Sequence, residues 1–172
     1  MEQIDLAPYC IGPKWGPEKG LFAVGFLGPK NGLPTGDPPP WLASKLADIF
    51  YASRPAYLLA DGTLSGVASG INYGWEKYRG IPRPCPFCEP KATPEDEFHS
   101  ITDADSNVYS GPLRITLGIT EYVAPKVDAD EAFVYPDEII HYIREHSYSP
   151  PQEFVEAIDL IDLSKPYNTE AW

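Results

Sequence analysis

Between residues 41 and 50 the large apolar side chains recur at helical spacing. Trp41, Leu42, Leu46, Ile49 and Phe50, with Lys45 among them, predict an amphipathic helix buried on one face. Asp37 stands where an N-cap is expected, and Pro38 suits a first helical turn. The unbroken run Leu21 to Leu27, bounded by Gly20 and Gly28-Pro29, predicts a buried strand. Leu113 to Ile119 alternates apolar and polar, the period of a half-buried strand. Tyr122-Val123 extends that strand or pairs beside it, and Phe133-Val134-Tyr135 is a further short one. Ala56 to Leu59 and Leu64 to Tyr73 are weaker strand candidates.

The helical period returns in the last third. Pro136 is placed to start a helix, with Asp137 and Glu138 in its positive first turn and Ile139, Ile140 and Ile143 on its buried face. A second helix follows, with Ser149 and Gln152 in a capping-box relation and Phe154, Val155 and Ile158 facing inward. Strands and helices in separate runs predict an α+β domain, with a small mainly antiparallel sheet and about three helices. It is expected to span residues 1–164, with 165–172 as a tail.

Composition adds punctuation and compartment. Twenty prolines and 14 glycines, spread over 172 residues, imply short elements joined by fixed turns. Pro82 to Pro90 holds four prolines and excludes any regular element there. Ala92 to Asn107 is polar and acidic, a loop by composition. No apolar stretch approaches the length that crosses a bilayer, and Glu2 and Asp5 near Met1 do not resemble a secretory signal. A cytoplasmic location is the expectation. The formal net charge of −12 argues against direct nucleic-acid binding through phosphate neutralisation.

Three cysteines are too few for a disulfide scaffold, but two of them form Cys85-Pro86-Phe87-Cys88. A Cys-x-x-Cys turn aims both sulfurs into one hollow. Two imidazoles follow in His141-Tyr142-Ile143-Arg144-Glu145-His146, and thiolate with imidazole is the soft tetrahedral set that zinc prefers. One geometric objection arises. Five residues on an ideal helix rotate by roughly 140°, so the last turn must tighten or His146 must lie beyond the helix end. The expected ligands are Cys85, Cys88, His141 and His146. A mixed site in which Cys10 or His99 replaces one histidine, and two free thiols beside two ordinary histidines, remain open alternatives. Cys10 itself reads as a buried small hydrophobe. A redox role is disfavoured, because no helix pattern begins at Cys88 to lower a thiol pKa. Asp103, Asp105 and Asn107 alternate as in a calcium loop but lack its glycine and closing glutamate.

The stretch His141 to Phe154, reading His-Tyr-Ile, a spacer, His, Tyr and then Pro-Pro before a helix with Phe, resembles a family of small bacterial proteins whose domain has no known function. The resemblance extends to Asp5-Leu6-Ala7-Pro8-Tyr9, to Phe26-Leu27 with Pro34-Thr35-Gly36, and to Cys85-Pro86-Phe87-Cys88. It implies that the cysteine pair and the histidine pair belong to one unit, and it transfers no activity. This chain has a longer middle, over Ala56 to Arg79 and Ala92 to Asn107.

Four protein ligands would close a zinc site, and a closed site supports folding without catalysing anything. The expectation is therefore a non-enzymatic acidic binding module stapled by zinc. Its partner would be a basic protein, as for an immunity or inhibitor protein acting on a basic toxin. The competing expectation is a zinc hydrolase with an open position, using Glu138, Glu145 or Glu97 as base and His99 as proton shuttle.

Overall fold

The computed structural model describes residues 3–10, 17–53, 57–58, 64–65, 74–75, 85–88, 95–99, 112–118, 120–126 and 130–164. The central sheet runs in the order β1 (Pro8–Cys10), β2 (Pro17–Ala23), β9 (Ala132–Pro136), β8 (Glu121–Pro125), β5 (Gly74–Trp75). All its neighbours are antiparallel except β2 and β9, which pair in parallel through Leu21↔Ala132 and Ala23↔Val134. Two further antiparallel pairs stand apart: β3 (Tyr57–Leu58) with β4 (Leu64–Ser65), and β6 (Glu95–His99) with β7 (Pro112–Thr116). The helices are α1 (Leu42–Ser53), α2 (Ile139–His146) and α3 (Gln152–Asp159). The architecture is α+β with a mostly antiparallel sheet, as expected.

Strand alternation sends side chains to both faces of the sheet, and both are buried. Phe133, Tyr135, Tyr122 and Ala124 point into the core under the three helices. Tyr9, Leu21, Ala23, Phe26, Val123, Ala132 and Val134 form a second cluster on the other side. Burial on both faces is why Phe133-Val134-Tyr135 reads as a continuous apolar run. On the helical side Phe154 meets Phe133 and Tyr135 edge-on, with centroids 5.7 and 5.2 Å apart, while Tyr135 stacks on Tyr122 at 5.6 Å.

Several expectations shift by a few residues, each for a local reason. Leu42, Leu46, Ile49 and Phe50 are buried as expected, but Trp41 is 39% exposed because the helix begins after it. Asp37 does not cap α1: the Leu42 N–H donates to Pro39 O, and three prolines intervene. The strand predicted at Leu21 to Leu27 occupies Pro17–Ala23 instead, since Gly25 adopts φ +76° and turns the chain away. Pro136 ends β9 and does not open α2. Asp137, only 1% exposed, serves the preceding turn, its carboxylate accepting Gly118 N–H at 2.6 Å and Thr120 N–H at 3.2 Å. Ser149 is no cap either; Pro151 holds that position, and Gln152 bonds forward to Glu156 at 3.0 Å. Glu95 to His99, read as loop, pair as a strand, and Leu113 to Thr116 join them there, not Tyr122-Val123.

The predicted tail 165–172, the calcium-like Asp103, Asp105 and Asn107, and most of Leu64 to Tyr73 lie outside the described residues. Among the described residues no helix is long and apolar enough to cross a membrane.

Gly25 is doubly required. Its φ belongs to the left-handed region, and a Cβ there would come within 2.9 Å of the Ile139 side chain at the start of α2. Gly25→Ala is expected to cost at least about 1–2 kcal/mol, read as a lower urea midpoint at unchanged m.

Candidate metal centre

Two elements meet at the end of α2. One is the turn Cys85–Cys88, which cannot be regular because prolines flank and interrupt it. It is anchored by its apolar residues. Cys85 is 1% exposed and belongs to the main core. Phe87 packs edge-on against Tyr142 at 5.7 Å and His146 at 5.9 Å, so the turn sits directly on the helix face that carries the histidines. The other element is α2 itself, held on the core by Ile139, Ile140, Tyr142 and Ile143.

The four residues expected to act together are brought together. One ligand atom each from Cys85, Cys88, His141 and His146 lies within 4.8 Å of all the others. Cys88 Sγ stands 3.3 Å from Nε2 of both His141 and His146, and Cys85 Sγ is 3.3 Å from His146 Nε2. Bond lengths of about 2.3 Å to sulfur and 2.0 Å to nitrogen, at the tetrahedral angle, put sulfur and nitrogen ligands about 3.5 Å apart. These three contacts are within a few tenths of an ångström of that spacing, and the four donors lie close enough together to hold one ion.

The geometric objection raised by the five-residue spacing is resolved by widening, not tightening, the last turn. His146 is still helical. Ser147 follows in the left-handed region at φ 53°, and its N–H reaches back to Tyr142 O. The Tyr148 N–H donates to the same carbonyl at 3.1 Å. A left-handed cap usually closes over one residue fewer. The extra residue, a π-type step, brings His146 round beneath His141, with ring centroids 5.1 Å apart.

The electrostatics favour a cation. Burial pushes the Cys88 thiol up to about 11, helped by the adjacent Cys85 and by the Glu145 carboxylate. Cys88 therefore keeps its proton until a positive charge arrives to favour the thiolate. A free thiol held so high is also the opposite of the depressed nucleophile that redox motifs use.

The other candidates fall elsewhere. Cys10 ends β1, half-buried and not the buried hydrophobe expected, with its Sγ 3.7 Å from Pro8 O; it is no part of the cluster. The backbone of His99 pairs with Pro112 in β6, but the side chains of His99 and Glu97 lie outside the described residues. Glu138 caps α2 with its backbone, and its carboxyl overlies Gly118. Glu145 is exposed.

Two residues that sequence reasoning did not connect to the site stand just behind it. Tyr148 is fully buried and donates its hydroxyl to Asp5 Oδ2 at 2.7 Å. Burial and the Asp5 carboxylate push its phenol far above the ordinary value, so it remains a donor. The Asp5-to-Tyr9 block and the Ser147-to-Pro151 block, distant in sequence, are thereby one structural unit.

A sequence model of the Domain of unknown function (DUF7919) matches residues 1–159. The chain belongs to this family. The match takes in every described strand and helix and all four donor residues, so the candidate metal centre of this family member lies wholly inside the family domain. No curated protein and no solved structure matches the chain.

Proposed function

We propose that this DUF7919 protein is a non-catalytic binding module whose fold is stapled by one zinc ion, held by Cys85, Cys88, His141 and His146. The observation that carries the reading is the convergence of four protein donors within 4.8 Å. Two sulfurs and two imidazole nitrogens offered to one ion suit zinc best among the common biological metals. Four protein ligands leave no position for a reacting water, which a hydrolase requires.

The partner is proposed to be a basic protein, as for an immunity or inhibitor protein whose target is a basic toxin. The support is the net charge of −12 together with its placement on α3. The outward face of that helix carries Glu153, Glu156 and Asp159, all exposed, next to Leu160 at 66% exposure. An acidic surface with an apolar residue at its end steers a cationic partner and offers it something to bury.

Charge steering predicts a kinetic signature. Association with a basic partner, found by affinity capture and confirmed with purified protein, is expected to slow steeply as ionic strength rises. The triple change Glu153→Gln, Glu156→Gln and Asp159→Asn is expected to lower the association rate by about tenfold at low salt while leaving the metal content alone. An association rate indifferent to both salt and the triple change would make the acidity a matter of solubility alone. Turnover of a hydrolysable ester or peptide that depends on the metal would instead favour the hydrolase.

A further inference from the structure

The cap that places His146 is an improbable one by local rules. Ser147 takes a left-handed conformation that glycine usually supplies, and the last turn of α2 carries one residue more than a regular ending. The force comes from three distant segments. Ser147 O accepts the Gly36 N–H at 3.0 Å, and the Ser149 N–H donates to Pro34 O at 2.9 Å. Thr35 and Tyr148 form an isolated antiparallel bridge between them. The approach is close enough that a Cβ on Gly36 would meet Ser149 Cβ at 2.9 Å. Finally, the buried Tyr148 hydroxyl is fixed on Asp5, whose other carboxylate oxygen takes the Gly25 N–H at 2.8 Å.

We infer that Asp5 and Tyr148 are positioning residues for the metal centre: their hydrogen bond locks the widened cap of α2 and so holds His146 beside His141, Cys85 and Cys88. The inference rests on the proposal that these four residues bind a metal. The lock touches no ligand atom. It acts through two residues of backbone, from Tyr148 through Ser147 to His146. Released from it, Ser147 gains by returning to a right-handed conformation, and His146 then swings toward the position roughly 140° from His141 that an ideal helix dictates. Linkage makes the effect reciprocal, so metal binding also stabilises the N-terminal turn around Asp5.

Metal affinity and geometry test this together. The full chain is stripped, then titrated with zinc against a chromophoric chelator, and separately with cobalt(II), whose visible spectrum reports tetrahedral coordination. Tyr148→Phe, which removes one hydroxyl, is expected to weaken zinc binding about 10–100-fold and to distort the cobalt spectrum. Asp5→Asn is expected to do the same, and the double variant no worse than either alone. Ser147→Gly is expected to keep wild-type affinity, because glycine adopts the cap freely. Ser147→Val, at an exposed position outside the core, is expected to weaken binding and serves where Tyr148→Phe does not fold. Wild-type affinity and spectrum in Tyr148→Phe, with only the melting temperature lowered, would overturn the inference while leaving the metal reading intact. Failure of the wild-type chain to take up either metal would overturn that reading itself.

Discussion

Treated with a strong chelator, the protein is expected to lose about one zinc per chain and a large part of its stability. The cysteine turn and α2 are separated by fifty residues of chain, and the metal is proposed to join them. Binding confined to the folded state stabilises by about 4 kcal/mol when free zinc exceeds its dissociation constant a thousandfold. For a chain of this length that corresponds to a fall in melting temperature on the order of 10 °C on metal removal. Cys88→Ser is expected to reproduce the loss without chelator, and chelator added to that variant should do nothing further. Acid should act in the same direction. The metal holds thiolates and neutral imidazoles, so protons compete with it, and zinc should leave as the pH falls. Equal melting curves for the metal-loaded and stripped protein would sink the structural-zinc proposal, whatever the stoichiometry.

What the sequence made legible was whatever depends on period or donor chemistry. The 3.6-residue spacing of Leu42, Leu46, Ile49 and Phe50 identified α1 and its buried face. The cysteine and histidine pairs stood out because few other residue types make a soft tetrahedral set, and the structure brings all four together. Elements too short to show a period were missed: three residues in β1 and two in β5 carry no alternation to read. Helix starts were misplaced wherever proline intervened, since Pro39 and Pro151 contribute carbonyls or backbone angles at positions assigned to capping side chains. The parallel pairing of β2 with β9 joins segments more than a hundred residues apart, and no local signal specifies it. The widened end of α2 was invisible for a related reason. Ser147-Tyr148-Ser149 contains nothing that demands a left-handed turn, and the demand comes from Asp5, Gly25 and the Pro34-to-Gly36 strand contact.

The metal does not hold the whole fold, and Phe154→Ala is the variant that shows it. Phe154 is fully buried on α3, with its ring against Phe133 and Tyr135 in the centre of β9. Tyr135 in turn stacks on Tyr122, whose ring leans on Phe50 of α1 at 6.0 Å. Removing Phe154 therefore opens a cavity at the junction of α3, the sheet and the aromatic chain leading to α1. Truncating a buried phenylalanine costs about 3–5 kcal/mol, a third or more of the stability of an ordinary domain. The loss should appear as a lower urea midpoint at unchanged m. It should also be nearly the same in the zinc-loaded and stripped states, because distant sites with no shared partner add. Zinc affinity itself should stay within about twofold of wild type by the same argument. A cost below about 1 kcal/mol would mean that α3 is not seated on the sheet as described. A cost that vanished on metal removal would mean instead that the helical core forms only once the staple is in place, and the fold would then depend on zinc throughout.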